Sequence, residues 1–454
     1  MKNRILDALG RARAGWSELR LRRIWASTVL VRDGVLDSAG AHQEQGGLAR
    51  CFSPGTALGA AGFTDPDHLD ASLLRAHELS LAAAPRHPAR LAPVPVRQHE
   101  TSPEPSEGSR VAGPDLRRDR VLGLAARVAE ADRRIASSRI LARDEVIETF
   151  LANSEGTWLY DLRSRISIAI LVQARQGGTV ERSLGSRFIR TWDDDPALED
   201  LVDRIAARAV EQLEAAPVRP RSYPVVLDPA AAGVLLHRVV SHLARPALPG
   251  ADPDALPLGT RLGPEGLTLG DDPTAPGQAP SCAYDDEGTE ARRTTIVQNG
   301  VVLGHLHSRE TAAAAGQAPT GHARAGTLQG LPAPRASNSF LAPGSGSLED
   351  LLEGISSGVF LSDATGCEYS ESGLVFRPAQ ARMIRDGRLA EPVKGVRVSG
   401  ELLDILGRFE AAGADFEWDS SAAHCRDGNG GLVPVTTGSP PVRFRDLEIG
   451  CELT

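Results

Sequence analysis

Two histidines, five residues apart, are the first residues whose types and spacing suggest a reactive site. His237 and His242 lie in the run LLHRVVSHL, which is compatible with a helix. Neutral imidazole is a good zinc ligand. Five residues along a straight helix separate two side chains by about 140°, however, whereas the spacing of four in zinc-protease helices separates them by only about 40°. The spacing alone therefore favours two unrelated helix histidines, unless the helix ends, bulges or kinks between them.

The cysteines and a second pair of histidines give weaker signals. An odd number of cysteines without CxxC spacing favours free thiols in a reducing cytoplasm over a disulfide framework. His305 and His307, in GHLH, alternate along a predicted strand, where two satisfied structural histidines are a simpler interpretation than a chelating pair. The five cysteines are Cys51, Cys282, Cys367, Cys425 and Cys451.

Hydrophobic periodicity indicates the elements that must position these residues. Apolar residues at spacings of three and four predict helices over 67–84, 115–136 and 196–215, and we also predict a helix over 1–20. Residues 26–63 predict short strands with Gly-rich turns. EVIETFLA and LRSRISIAILV predict two strands around the turn 153–156, and PVVLDP predicts a strand immediately before the helix with the two histidines.

The chain is predicted to form two domains. The break APVRPRSYP places the boundary near residue 218. It separates an N-terminal α/β domain, 1–218, from a β-rich C-terminal domain, 219–454, which carries the two histidines. Within the first domain, residues from about 85 to 114 are rich in Pro, Ser and Glu, and they predict an extended connector or mobile loop.

Composition and charge exclude several classes of function. The 454-residue chain has a net charge of -9, and its arginines are interspersed with acidic residues, so no basic face for nucleic acid is expected. The sequence has no run of roughly 18 apolar residues, the length that is needed to cross a membrane. The N-terminal sequence lacks the apolar core of a signal peptide. We therefore expect a cytoplasmic protein that binds neither nucleic acid nor a membrane.

The segment around the histidines resembles a known family. PVVLDPAAAGVLLHRVVSH is similar to the segment of TldD/PmbA metallopeptidases that carries the HExxxH motif. Further blocks match in the same order from about 140 to 447: NSEGTWLYDLRSRISIAILV, YDDEGTEARRTTIVQNG, GLPAPRASNSF, GRLAEPVKGVRVSG and CRDGNGGLVPVTTGSPPVRF. The first 110 residues match only loosely. The chain is thus identified as a divergent member of this family, with HRxxxH in place of HExxxH.

The resemblance implies an α+β fold of two domains. An N-terminal domain packs helices on a sheet, and a β-rich C-terminal domain carries the helix with the metal motif. In the family, two histidines and a later cysteine bind one zinc ion, which here implies His237, His242 and Cys425. Such a His₂Cys set leaves a fourth position open, as expected of a reacting metal. His424, next to Cys425, is a weaker candidate ligand.

The main departure from the family is Arg238, which stands where the family has its catalytic glutamate. A guanidinium stays protonated and cannot act as a general base. Three interpretations remain open. The chain is a metalloenzyme in which another group, such as Asp285, Asp286 or Glu287, handles protons. Alternatively, it holds a redox metal, since two imidazoles and a thiolate also suit copper, or it is a non-catalytic subunit.

The resemblance also implies partners. The substrate would be an unstructured peptide or a small peptide-like molecule, bound in a cleft between domains. Arg335 and Asn338, in the PAPRASN block, are expected either to line that cleft or to stabilise a loop. We expect a dimer with a TldE-like chain or with a second copy, and one divalent metal ion per chain, zinc or alternatively copper.

Overall fold

The computed structural model describes residues 1–82, 88–101, 113–192, 196–243, 246, 256–370, 373–426 and 431–452, without the side chains of His242, Leu243 and Ser370. The prediction of a connector at about 85–114 lies partly outside these residues. Its described part, 88–101, ends in a short strand that pairs in parallel with the strand Trp158–Gln176. No helix in the described part of the chain is long and apolar enough to cross a membrane.

The N-terminal half is a seven-stranded sheet covered by helices. The sheet has the order β3-β2-β1-β5-β6, and β4 and β7 both pair with β6. Its strands are β1 Trp16–Arg32, β2 Val35–Phe52, β3 Gly59–Phe63, β4 Gln98–Thr101, β5 Ile135–Asn153, β6 Trp158–Gln176 and β7 Thr179–Ile189. Its helices are α1 Lys2–Gly10, α2 Leu69–Ala82, α3 Pro114–Ala131 and α4 Pro196–Glu214, with a 3₁₀ turn at Pro66–His68.

The two faces of this sheet differ because side chains alternate along each strand. Leu19, Leu21 and Val31 of β1 point to the helix-covered face, where they are buried in two apolar clusters with α1, α2, α3 and α4. The intervening Arg22 and Ile24 lie on the opposite face, which is polar and turns toward the C-terminal half. The sheet thus contributes one face to the core and the other to a cleft.

The C-terminal half is built from two larger sheets and one central helix. Its strands and helices are β8 Ala216–Pro217, β9 Arg221–Leu227, α5 Pro229–Leu243, β10 Leu269–Asp271, β11 Thr294–Gln298, β12 Val301–Val302, α6 Arg309–Ala315, β13 Ala323–Arg324, β14 Ala333–Pro334, β15 Asn338–Leu341, α7 Leu348–Leu352, β16 Ser357–Ser370, β17 Gly373–Arg385, β18 Arg388–Lys394, β19 Val396–Gly400, α8 Leu402–Gly407, β20 Phe409–Ala412, β21 Glu417–Arg426, β22 Leu432–Ser439 and β23 Val442–Cys451.

Helix α5 lies between the two C-terminal sheets. One sheet has the order β16-β9-β23-β19-β17-β18-β8, and an additional pairing of β16 with β17 closes five of its strands into a ring. The other has the order β12-β11-β10-β15-β22-β21. The helix packs against β16 of the first and against β15, β22 and β21 of the second. Its apolar residues therefore belong to the same core cluster as the ring.

A buried group of charged residues joins the two halves. Arg50 of β2 donates to Glu18 of β1 at 2.6 and 2.9 Å and to Glu287, from the C-terminal half, at 2.7 Å. These three side chains expose only 1 or 2% of their surface. Glu287 also accepts from the backbone amide of Arg309 at 2.7 Å. Arg309 in turn forms a two-pronged ion pair with Glu155 of the 153–156 turn.

The fold confirms the predicted α+β class, and some element predictions are wrong. The helix predicted over 1–20 ends at Gly10, because WSELRLRRIW alternates apolar and polar residues and forms the start of β1. The short strands predicted over 26–63 are partly wrong: this range holds the end of β1 and all of β2, which are 17 and 18 residues long and paired along their length, but also the short strand β3. The remaining predicted helices are present with ends that differ by up to five residues, and the strands around 153–156 are present but longer, since β5 begins ten residues before the predicted EVIETFLA.

The buried charges yield a stability prediction. Arg50→Met should lower the free energy of unfolding by about 3–5 kcal/mol at pH 7, because Glu18 and Glu287 then stay buried without their counter-charge. The deficit should shrink as the pH falls, since protonation of the two carboxylates removes the buried charge. Denaturant unfolding followed by tryptophan fluorescence measures both effects.

Arg11→Met is the matched control. Arg11 pairs with Asp70 through two hydrogen bonds in the same way, but both side chains are more than half exposed. Its substitution should leave stability nearly unchanged. Equal losses in the two variants would contradict the assignment of Arg50 as the buried link.

Candidate functional site

Helix α5 is fixed at its start and held close to the second sheet. Asp228 caps it by accepting from the backbone amide of Ala231 at 2.7 Å, and Pro229 occupies the first helical position. Burial and the nearby carboxylates of Asp363 and Asp419 raise the pKa of Asp228 to about 7. At Gly233 an added Cβ would lie 2.6 Å from the hydroxyl of Thr437 in β22, so glycine is needed for this close approach.

His237 is buried on α5, and its ring is oriented by a serine. Its Nδ1 lies 2.9 Å from the hydroxyl of Ser339 in β15. That hydroxyl donates to the carboxylate of Asp271 at 3.0 Å. A hydroxyl has a single hydrogen, so Ser339 must accept from Nδ1–H of His237. The imidazole is therefore the Nδ1–H tautomer, and its lone pair is on Nε2.

Asp271 is the centre of this buried polar group. It accepts from the backbone amide and the hydroxyl of Ser337 as well as from Ser339, and His322 Nε2 lies 3.2 Å from it. Burial alone would raise the pKa of Asp271, but the hydrogen bonds from His322 and Ser337 outweigh it and hold that pKa below its usual value. An ionised Asp271 is the acceptor that the orientation of Ser339 requires.

Arg238 is directed toward the C-terminal sheet that contains β16. Its Nε donates to the backbone carbonyl of Cys367 in β16 at 2.8 Å. The Cys367 thiol beside it is buried, which raises its pKa to about 12. Arg238 is thus bound to the main chain of β16, whereas His237 is bound to a side chain of β15.

The other two predicted metal ligands lie near the end of α5 and on β21. His242 is the penultimate residue of α5, and its side chain lies outside the described residues. Cys425 is half-buried on β21, opposite Val433 of β22. Within the described residues, no three His, Cys, Asp or Glu side chains are placed to hold a metal ion. The predicted ligand set therefore stays a prediction, although its donors, two imidazoles and a thiolate, fit zinc.

The remaining candidate residues have structural partners. Asn338 is buried and donates to the carbonyl of Asp272 at 2.7 Å and to the hydroxyl of Ser281 at 3.0 Å, which favours the loop-stabilising alternative. Arg335 is half-buried, and its backbone amide bonds the carbonyl of His322. The ring of His424 packs 5.9 Å from that of Phe188. Burial lowers the pKa of His307 to about 4, and His305 bonds the carbonyl of Leu256.

The carboxylates of the DDEG block lie at the junction between the two halves. Asp286 pairs with Arg22 and accepts from the amide of Ala325, and Glu287 is bound to Arg50 and to the amide of Arg309. Asp285 accepts from three backbone amides, and burial raises its pKa well above its usual value. These contacts favour a structural role for the block over the proton transfer considered from the sequence.

A cleft of about 370 Å³ lies between the polar face of the N-terminal sheet and loops of the C-terminal half. Side chains of β1, β5 and β6 form its floor, and residues 279–286, 324–328 and 432–434 form its roof. Residues 432–434 belong to β22, opposite His424 and Cys425, so the predicted cysteine ligand lies on the strand next to the cleft wall.

Sequence reasoning missed the cleft residues Arg163, Arg165 and Arg324. The first two could have been found, because LRSRIS alternates arginines with apolar residues, as expected of a strand with one polar face. Nothing local distinguishes Arg324. It becomes a cleft residue only because β13 is brought close to β22.

Comparisons with known proteins agree with this architecture. Residues 111–213 match the PmbA/TldA metallopeptidase central domain, and residues 220–451 match the PmbA/TldA metallopeptidase C-terminal domain. A metalloprotease of Methanothermobacter thermautotrophicus is 30% identical over 96% of both chains. A zinc metalloprotease TldD homolog of Saccharolobus solfataricus is 30% identical over 70% of this chain and 72% of its own. The crystal structure of TldE from Thermococcus kodakarensis has the same fold, with a TM-score of 0.78, 18% identity and 99% of both chains covered.

The orientation of His237 yields a prediction that needs no metal. In metal-free protein labelled with ¹⁵N-histidine, His237 should be the Nδ1–H tautomer, as measured by long-range ¹H–¹⁵N correlation. Ser339→Ala removes the hydroxyl that accepts from Nδ1–H of His237, so the ring should shift toward the Nε2–H tautomer.

Ser337→Ala is the control, because Ser337 contacts Asp271 but not His237. Its substitution should leave the His237 tautomer unchanged. A wild-type His237 already in the Nε2–H form would refute the inferred hydrogen-bond direction.

Proposed function

Because the chain belongs to the PmbA/TldD metallopeptidase family, we propose that it is a metal-dependent enzyme acting on a peptide or a small peptide-like molecule. His237, His242 and Cys425 are the proposed ligands of one divalent metal ion, and the cleft is the proposed substrate site. In this proposal classical proteolysis is weakened, since Arg238 replaces the expected base.

One observation carries the proposal: the Asp271–Ser339–His237 hydrogen-bond chain. Histidines that bind metals commonly donate their second ring nitrogen to an oxygen acceptor, which fixes the tautomer and the ring orientation. Here Nδ1 donates to Ser339, which places the lone pair of a neutral ring on Nε2. A buried helix histidine with a purely structural role would not need an ionised aspartate behind its serine.

The spacing of α5 along the second sheet also supports the ligand set. Gly233 contacts Thr437, and His242 is nine residues further on, a rise of about 13.5 Å. Val433, opposite Cys425, is four residues from Thr437, about 13 Å along β22. Asp228, at the start of the helix, interacts with Asp419, opposite Thr437, so the helix follows β22 in this direction. This course would bring His242 to the level of Cys425.

A bound zinc ion would act as a Lewis acid and lower the pKa of its water. The chain's own residues have other parts. Asp271 and Ser339 hold the His237 ring, and the polar face of the N-terminal sheet takes the extended substrate. Arg238, bound to the Cys367 carbonyl, neither accepts a proton nor approaches β15. The name of the Saccharolobus relative supports zinc as the metal.

The same proposal includes an assembly and a compartment. The resemblance implies a TldE-like partner or a second copy of the chain, and a partner could supply the proton-handling group. All five cysteines are free thiols, which is consistent with the reducing cytoplasm that we propose as the location.

Metal content and casein hydrolysis test the proposed metal site. Protein purified without added metal should contain about one zinc ion per chain by inductively coupled plasma analysis, and His237→Ala or Cys425→Ala should remove it. The isolated chain should hydrolyse casein weakly. Arg238→Glu should increase the rate, by up to about 10²-fold if the new carboxylate acts as a base, and Arg238→Gln should not.

Two results would contradict these expectations separately. A metal-free wild-type chain would refute the ligand set. Robust casein hydrolysis by the isolated wild-type chain would refute the weakening attributed to Arg238.

The assembly state and the Cys425→Ala variant distinguish an enzyme from a non-catalytic subunit. Light scattering should show a dimer, either with a co-expressed TldE-like chain or with a second copy. In the active complex, Cys425→Ala should abolish activity while the dimer survives. Full activity of that variant complex would place the chemistry in the partner. A stable monomer unaffected by a co-expressed relative would refute the assembly.

A further inference from the structure

Most of the arginines that line the cleft are paired with a carboxylate. Arg22 pairs with Asp286, and Arg163 pairs with Asp161 at 2.5 Å. Arg165 pairs at 2.6 Å with Glu145, just below the cleft floor. Arg324 lines the same cleft and forms no ion pair with any residue that the structure describes.

Two backbone carbonyls hold the guanidinium of Arg324 in place. Its Nη1 donates to Ala336 at 2.7 Å and its Nη2 to Pro434 at 2.8 Å. A guanidinium has five N–H donors in a planar fork, so three remain for other acceptors. The side chain is half-buried and anchored on two separate segments, and its position is therefore set before any ligand arrives.

The carboxylates near Arg324 are bound by other groups. Burial lowers the pKa of Arg324 from the usual value, and the interactions with Asp286 and Asp271 offset this effect only in part. The nearest carboxylates are Asp286 and Asp271, but Asp286 is bound to Arg22, and Asp271 is bound to Ser337 and Ser339. A half-buried cation without a counter-charge is costly, and an anionic ligand would relieve that cost.

Arg324 also lies next to the proposed metal centre. Pro434, whose carbonyl it bonds, is directly opposite His424 in the strand pair, and the adjacent pair joins Val433 to Cys425. An anion bound at Arg324 would thus lie close to Cys425, a proposed metal ligand.

We propose that Arg324, with Arg163 beside it, binds a carboxylate of the peptide substrate at the end of the cleft nearest Cys425. This inference rests on the proposed function and deepens it by specifying an anionic group on the substrate. The C-terminal carboxylate and an acidic side chain share the required chemistry. The chain as a whole has a net charge of -9, so general attraction would not favour such a ligand.

Three fluorescent peptides of one neutral sequence test the proposal by fluorescence anisotropy. The first has a free C-terminal carboxylate, the second is amidated, and the third is amidated with glutamate as its last residue. The protein is the full chain as purified, with its native metal content. For the wild type, the free acid or the glutamate peptide should bind about tenfold to hundredfold more tightly than the neutral amide, the range expected for hydrogen bonds to a charged group.

The variants assign the effect to Arg324. Arg324→Gln should remove the preference, while its affinity for the neutral amide stays at the wild-type value, which also shows that the cleft is intact. Arg324→Lys keeps the charge but loses the planar fork, so it should retain part of the preference. It replaces Arg324→Gln as the test variant if Arg324→Gln does not fold. Arg11→Gln is the control and should behave as the wild type, because Arg11 is exposed, pairs with Asp70 and lies outside the cleft.

The outcomes separate this inference from the proposed function. If all three peptides bind equally well to the wild type, the carboxylate site is refuted and peptide binding survives. If none of them binds, both are refuted. A preference confined to the free acid identifies the C-terminus as the recognised group, and one confined to the glutamate peptide identifies a side chain. A preference that persists in Arg324→Gln refutes the role of Arg324.

Discussion

The geometry of the cleft depends on the buried contact of Arg50 with Glu18 and Glu287. Glu18 and Arg50 are on adjacent strands of the N-terminal sheet, and Glu287 is in the loop that roofs the cleft. Three buried charges are costly to desolvate, and together they require a single arrangement in which every donor meets an acceptor. The roof loop is therefore fixed relative to the sheet, and so are the neighbouring Asp286 and its partner Arg22. A cleft whose floor and roof come from different halves of the chain needs such a link if the two are to keep their relative positions.

A second buried polar group acts at shorter range, around α5. Asp271, Ser337 and Ser339 come from β10 and the β14–β15 region, and together they orient one imidazole on the helix. The helix itself is located by packing, with Gly233 pressed against Thr437 and Asp228 capping its first turn. Position and orientation thus have different causes. Packing decides where His237 lies, and the hydrogen-bond chain decides which of its nitrogens carries the lone pair.

Much of this could be predicted from the sequence, and the failures have physical reasons. The helices with clear periodicity and the turn at 153–156 were predicted because their signals are local. The helix predicted over 1–20 is wrong beyond Gly10, because WSELRLRRIW has the alternation of a strand and pairs with two neighbouring strands. From the sequence, the DDEG carboxylates are one of several candidate proton-handling groups. These carboxylates proved to be bound by Arg22, Arg50 and backbone amides, partners that spacing along the chain does not indicate. The roles of Ser339 and Arg324 depend on contacts with residues about a hundred positions away.

The arginine at position 238 can be explained by the packing of α5 and by the hydrogen bonds that orient His237. A guanidinium directed at a divalent cation would oppose its binding, so an arginine next to a proposed metal ligand requires a structural explanation. In this structure Arg238 is bound to the Cys367 carbonyl, on the side of α5 that faces β16, while His237 is bound to Ser339 on the side that faces β15. One helical residue corresponds to a rotation of about 100°, which is enough to place the two side chains against different sheets. Arg238 and the proposed ligand His237 therefore contact different strands, and Arg238 leaves undisturbed the hydrogen bonds through which Asp271 and Ser339 orient the imidazole.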